Sequence, residues 1–501
     1  MSELPTSWAW STIGDLSQYI QRGKSPKYAD KSELPVINQK CIRWNELQMQ
    51  YLKFIHPDQF SAWDSARYIA PGDILWNSTG TGTVGRAYQV KEVDCVPPKV
   101  VDSHVTIVRH IPGIDPRYLF NWIKGPLVQG KIEEMCDGTT NQIELSRTAI
   151  AATAIPIAPA AEQSRIANQL DTLLARVQAC NDRFDAIPAL LKRFRQTVLD
   201  AATTGQLTDA WRMNNLGQVT AEEVVSARLA FAGKRPTKAA AEFFANHHPA
   251  FPQKGVLPDT WLLTHIGMVG TVSNGSTPSR QEPLYWGSGI PWVSSGEVAN
   301  GVIRRTREQI TNEGFKNSSV RLLPRGSVLM AMIGEGKTRG QSAILDIDAC
   351  INQNIAGVVP VDGILDSKYL WFWFRREYEN TRTKGNGSGP KALNCERVRE
   401  LEINLPPLAE QSEIVRRVEA LFALADRIEA RCSTARAQAQ RLSPLVLAKA
   451  FRGELVPQDP NDEPASALLA RIAPSNTAVA EKNRQKVSVA PNNRARTAIN
   501  L

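Results

Sequence analysis

Reactive side chains are scarce in this 501-residue chain, which holds only seven cysteines and six histidines. The cysteines, at positions 41, 95, 136, 180, 350, 395 and 432, form no C-x-x-C pair, and no histidines take the H-E-x-x-H spacing. Neither a disulfide framework nor a metal site is supported. No run approaches the roughly 18 apolar residues of a membrane helix, and the opening MSELPTSWAW has no basic stretch followed by an apolar one. The reading is a cytoplasmic chain without membrane contact.

Catalytic signatures are missing too. There is no G-x-S-x-G elbow, and the only Pro-Pro pairs, Pro97-Pro98 and Pro406-Pro407, lack the flanks of the Asn/Asp-Pro-Pro-aromatic stretch of a DNA adenine methylase. Gly80-Thr81-Gly82-Thr83-Val84-Gly85 is a literal G-x-G-x-x-G, but a phosphate-cradling loop must open a helix, and RAYQVKEVDCV after it alternates like a strand. Its counterpart Gly334–Gly340 keeps neither that spacing nor a complete P-loop. A glycine-rich loop between strands fits better, and the expectation is a chain that is no enzyme and holds no cofactor or metal.

What is present is charge and repetition. The net charge of +9 and the pI near 9.2 suit a nucleic-acid binder, which gains by displacing phosphate counterions. Part of the excess is local: Lys482, Arg484, Lys486, Arg494 and Arg496 face only Glu481 in residues 476–501, a polar stretch expected to be disordered.

A shift of 248 residues superimposes Glu162 on Glu410, Gln163 on Gln411, Leu199 on Leu447 and Gly205 on Gly453, without a gap over about fifty residues. Within the first copy Ile166, Leu170, Leu173, Val177, Cys180, Phe184, Ile187, Leu191, Phe194 and Val198 recur in steps of four and three. Ile414, Val418, Leu421, Ala425, Ile428, Cys432, Ala435, Ala439, Leu442 and Val446 do so in the second. Such stripes are coiled-coil seams. Each supplies the surface the other lacks, and side-by-side antiparallel packing is the simplest solution. Each seam corresponds to about 50 Å of helix. Pro188 and Pro444 predict a kink or break, and Gly205 and Gly453 predict C-terminal stops.

The segments before the helices repeat more loosely: LPTSWAWSTIGDL answers LPDTWLLTHIGMV, Gly23-Lys24-Ser25-Pro26 answers Gly275-Ser276-Thr277-Pro278, and Tyr118-Leu119-Phe120 answers Tyr369-Leu370-Trp371. Short apolar runs between Gly, Pro, Asn and Ser predict strands and a few helices. The fold class is therefore α+β, with two mixed α/β domains joined by two long helices in an antiparallel coiled coil and a pseudo-two-fold internal repeat. The boundaries read as domain 1–157, helix 158–206, connector 207–254, domain 255–405, helix 406–455 and extension 456–501, disordered after about 473.

Side chains suited to DNA cluster in both domains. Arg22, Lys24, Lys27, Lys40, Arg43, Asn38 and Gln39 lie beside Trp44, with Thr81 and Arg86 at the glycine-rich loop; Ser276, Thr277, Arg280, Ser294, Ser295, Lys337, Thr338, Arg339 and Lys391 belong to the second. Arg and Lys suit phosphate or guanine, and Asn and Gln suit adenine.

The duplicated P-x-x-E-Q-x-x-I helix openings, GQLTDAWR at 205–212, GSTPSRQEPLYWGSGIPWVSSGEV from Gly275 and AFRGELVPQDPNDEPASALLARI from Ala450 resemble the DNA specificity subunits of type I restriction-modification systems, over about residues 1–472. The first half departs from that pattern, with Leu34-Pro35-Val36-Ile37-Asn38 in place of an IPW motif. The resemblance implies two target-recognition domains, each reading one half of a split, asymmetric sequence in double-stranded DNA. It also implies helices that set the gap and dock two methyltransferase subunits, which two motor-endonuclease subunits can join. S-adenosylmethionine, ATP and Mg would act in those partners. A coiled-coil adaptor whose globular domains bind proteins is the alternative.

Overall fold

The computed structural model describes residues 4–80, 82–137, 143–215, 242, 243, 245–250, 253, 257–334, 337–383 and 393–472. The expected disordered tail and most of the expected connector lie outside them. The chain divides into two compact units, Met1–Asp185 with Thr434–Leu501, and Ala186–Ser433.

In the first unit the strands Ser17–Arg22, Val105–His110, Ile74–Asn77 and Ala87–Gln89 form one sheet in that order. A second sheet runs Tyr28–Ala29, Lys53–Ile55, Pro35–Ile37, Val100–Val101, its last pair parallel. The second unit repeats the plan. Gly270–Asn274, Ile355–Pro360, Val328–Ala331 and Ser342–Leu345 stand in the same order, with Val302–Ile303 added at the edge. Its other sheet places Glu308–Ile310, Trp286–Val293 and Ala349–Ile351 side by side. Val36 faces Val100 in parallel as Trp292 faces Cys350, so Pro35–Ile37 is the structural counterpart of Pro291–Val293. The missing IPW motif is thus a change of side chains on an unchanged strand.

Glycine at 23 and 275 follows from this plan. There the chain crosses the strand that ends at Val101 or Ile351, and a Cβ at either position would collide with the carbonyl oxygens of Val101 and Asp102 or of Ile351 and Asn352. No side chain fits such a crossing.

The long helices span Ala160–Thr203 and Leu408–Ala450. In the first unit Ile166 and Leu170, from the start of one, share a core with Leu447, Ala450 and Phe451 from the end of the other. Arg436 also pairs with Asp185 at 2.5 Å. In the second unit Val198, Leu199 and Ala202 pack with Ile414, Val415 and Val418, and Arg195 bridges Asp426 and Glu429 at 2.6 and 2.8 Å. Start meets end in both units, so the helices pack antiparallel. Both run unbroken through Pro188 and Pro444, correcting the expected break: each proline lies on an exposed face, where water can satisfy the freed carbonyl. The seam is uneven. Ile166, Leu170, Val177, Leu191, Ile414 and Val418 are buried, Leu173, Phe184 and Leu421 are half-buried, and Phe194, Ile428 and Leu442 are exposed. Among the described residues no helix is long and apolar enough to cross a membrane.

Each helix starts on a buried Glu-Gln pair. Glu162 accepts from Trp8 Nε1 at 3.0 Å and from Gln458 Nε2. Glu410 accepts from Trp261 Nε1 at 2.9 Å, Thr208 Oγ1 at 2.7 Å and Arg212 Nη2 at 2.7 Å. Gln163 takes the amide of Asp115 and donates to Ala158 O; Gln411 takes the amide of Asp366 and donates to Ile364 O and Pro406 O. Residues 207–213, expected in the connector, belong to a short 3-10 turn, Gln206–Thr208, and a helix, Asp209–Met213, that bring Thr208 and Arg212 to Glu410. Gly205 and Gly453 stop the helices with φ of +84° and +74°.

Burial raises the Glu162 carboxyl above its ordinary value against the opposing pull of its donors and of the nearby Arg165 cation, and among the described residues no cation forms an ion pair with it as Arg212 does with Glu410. Removing Glu410 takes from the half-buried Arg212 guanidinium its buried carboxylate, leaving only the exposed Asp209 at 3.1 Å, and strands two further donors, whereas removing Glu162 strands only neutral ones. Urea unfolding should accordingly show a loss of about 3–5 kcal/mol for Glu410→Ala and about 1–3 kcal/mol for Glu162→Ala. Equal losses would show that the Arg212 pair has no special weight.

Candidate nucleic-acid interface

The glycine-rich loop joins antiparallel strands, since Ile74, Leu75 and Trp76 pair with Gln89, Tyr88 and Ala87. It therefore ends in a strand and offers no helix N-terminus to a phosphate. Gly80, Gly82 and Gly85 all have positive φ, and a Cβ on Gly80 would press on Gln39 and Thr83. The hairpin is thereby laid against the turn that follows Pro35–Ile37.

This contact gathers several of the expected DNA residues. Gln39 takes a hydrogen bond from Thr79 Oγ1 at 3.3 Å, Lys40 is exposed, and Arg43 lies near Arg86. Arg43 Nη1 donates to the carbonyls of Lys40 and Ile42, and Arg86 Nη2 to that of Gly82. Neither guanidinium has a carboxylate partner among the described residues. Burial and the neighbouring Arg43 cation lower the Arg86 pKa. Two like charges held together by backbone carbonyls form a focus of positive potential where an anion would be stabilised.

Most of the other expected residues are committed elsewhere. Asn38 is buried, donating to Tyr51 O and accepting from the Lys40 amide. Arg22 pairs with Glu144 at 2.5 Å, Lys24 stands 5.8 Å over the Trp63 ring, and Lys27 is exposed. In the second unit Arg280 lies 3.6 Å above the Trp286 ring centroid and makes a two-pronged bond to Glu308, which raises its pKa and lowers that of Glu308. Ser276 accepts from Ser319, Thr277 bonds Gln353, and Ser294 closes a capping box with Glu297 that starts the turn at Ser295. Lys337, Thr338 and Arg339 occupy the loop between Val328–Ala331 and Ser342–Leu345, where Tyr378 Oη donates to Lys337 O. Thr81 and Lys391 lie outside the described residues.

Sequence reasoning missed a second group. Lys53 sits 4.3 Å over the Tyr28 ring, and burial and Asp102 push the Tyr28 hydroxyl up to about 12. Strand register makes Lys53 the counterpart of Glu308, since each faces the second residue of the matching strand, Val36 or Trp292. A cation on an aromatic ring in one unit replaces an ion pair in the other. His104 was also missed: its Nδ1 is 2.6 Å from Thr79 Oγ1. Only the paired register of the two sheets exposes these correspondences. Among the described residues no group of three or more His, Cys, Asp or Glu side chains could hold a metal ion.

Two similar frames carry unlike polar edges. A family model described as the type I restriction modification DNA specificity domain matches residues 5–187 and again 258–434. The chain belongs to this family. It is 30% identical to the EcoBI specificity subunit of Escherichia coli over 66% of this chain and 65% of that protein. Identity is 26% with the StySPI specificity subunit of Salmonella potsdam and 25% with the EcoKI specificity subunit of E. coli K12, each over 94% of this chain and 96% of the relative. The crystal structure of an HsdS subunit from Thermoanaerobacter tengcongensis shares the fold at a TM-score of 0.56 and 17% identity, covering 90% of this chain and 98% of that one.

The Arg43–Arg86 focus yields a salt-dependence prediction. If the two cations each neutralise a phosphate, Arg43→Ala with Arg86→Ala should lower the slope of log K against log salt by about 1.8, at roughly 0.9 per contact. The measurement is duplex binding by the assembled complex across a salt series. Arg22→Ala, which frees Glu144 as well, serves as the comparison, and an unchanged slope in the double variant would remove the focus from the interface.

Proposed function

We propose that this chain is the specificity subunit of a type I restriction-modification complex in the cytoplasm, with each unit reading one half of a split sequence in double-stranded DNA. The observation that carries this reading is a duplicated frame whose exposed polar residues differ at matching positions: such a pair suits two unlike half-sites read by one architecture. The cations at Arg43 and Arg86 and the net positive charge suit phosphate.

The long helices have a second task in this reading. Leu190, Phe194, Leu424 and Ile428 in one unit and Leu442 and Leu445 in the other leave between 37 and 62% of their surface in water. Large apolar side chains so exposed suit protein docking. Two methyltransferase subunits are the proposed occupants, joined by two motor-endonuclease subunits; S-adenosylmethionine, ATP and Mg act in these partners. This chain chooses the site and performs no covalent step.

A map of methylated adenines in the source genome tests the proposal. A split motif that vanishes when this chain is deleted is the expected result; a motif that survives deletion assigns recognition to another protein. A second experiment addresses the gap. Inserting one or two helical turns between Ile166 and Phe184 should change the permitted spacing and leave both half-sites unaltered, whereas altered half-sites at an unchanged gap would contradict the role of the helices.

A further inference from the structure

The internal repeat acts as its own control: where frames coincide, differences in exposed side chains mark what each unit reads. Ser78 N bonds His104 O, and Met332 N bonds Asn354 O, so positions 79 and 104 correspond to 333 and 354. Asp102 Oδ1 takes the His104 amide as Asn352 Oδ1 takes the Asn354 amide. On this shared backbone the first unit carries Gln39, Thr79 and His104, and the second carries Ser295, Ile333 and Asn354. The first set is joined by side-chain hydrogen bonds through Thr79; the second has no such link at the matching position, because the Ile333 side chain is apolar.

Resting on the function proposed above, we propose that His104, held by Thr79 and Gln39, reads the base edge of one A·T pair in the first half-site. The Gln39 carbonyl oxygen can only accept, so the Thr79 hydroxyl donates to it across 3.3 Å. The Thr79 oxygen then accepts from His104 Nδ1–H at 2.6 Å. In the neutral ring this arrangement leaves Nε2 as an acceptor. Nε2 has no bond among the described residues, and the ring is exposed. With its oxygen engaged, Gln39 keeps its amide hydrogens as donors. An acceptor beside a donor complements adenine, whose major-groove edge offers N6–H and N7; guanine offers two acceptors there. The backbone on both sides of His104 is pinned, by Asp102 at its amide and by Ser78 at its carbonyl, so the ring is positioned before DNA arrives.

The test expresses the full complex with His104→Ala, His104→Asn or Gln39→Ala and maps adenine methylation across the host genome. Discrimination at one A·T position of one half-site is expected to fall about tenfold or more in His104→Ala, with the other half-site and the gap unchanged; those two features report that the chain still folds and assembles. An unchanged motif overturns the inference, as does a uniform drop in methylation without new sequences, which would make His104 a phosphate contact. If His104→Ala abolishes methylation altogether, the other two variants decide: relaxation at a shared position sustains the inference and an intact motif refutes it. Failure of the unaltered chain to direct any split motif would defeat the proposed function itself, and is seen before any variant is made.

Discussion

Everything else in the molecule leans on a carboxylate buried at the first turn of each long helix. Glu162 and Glu410 sit where the helix exposes unpaired amides, which favours negative charge, yet both are about 1% exposed, which penalises it. The conflict is resolved by donors drawn from distant stretches of chain: an indole from the start of each domain, and a strap that follows the end of the other long helix. The glutamine beside each carboxylate repeats the trick with neutral bonds, holding the N-cap aspartate of a domain helix, Asp115 or Asp366. Domain, helix start and strap are thereby locked around one dipeptide.

With the anchor constant, variation is free to collect at the far side of each sheet. The crossing glycines at 23 and 275 hold the chain close to the neighbouring strand, and the residues just beyond them meet the loop after that strand: Ser25 with Ser103, Thr277 with Gln353. Scaffold bonds are shared between backbone atoms, whereas the side chains that extend past them differ in charge and polarity. Tyr28 with Lys53 against Arg280 with Glu308 shows how far the chemistry can diverge on one register.

The repeated dipeptide, the helix-ending glycines and the paired stripes could be read from spacing alone, because each depends on local periodicity. Proline misled, since Pro188 and Pro444 suggest a break only if their helix face is buried, and burial is a tertiary fact. The stripe also overstated the seam at Ile428 and Leu442, where periodicity continues but no partner covers it. Within the sites, residue type singled out Gln39, Arg43 and Arg86 without showing that the fold brings them together, and could not tell that Asn38 turns inward or that Arg280 is already paired. His104 escaped notice because its meaning comes from a threonine twenty-five residues away. The family pattern carries the frame; contacts between loops carry the rest.

The two anchors differ in when they can be completed. All the groups around Glu410, from Thr208 to Arg212 and Trp261, precede it in the chain, so the second unit is whole once residue 433 has emerged from the ribosome. Glu162 must wait for Gln458, 296 residues later. Against the 202 residues between Thr208 and Glu410, the added loop-closure entropy is only about 0.3 kcal/mol. Delay, rather than energy, separates the two: the half made first is finished last, and throughout synthesis of the other its buried acid stands with one donor instead of two.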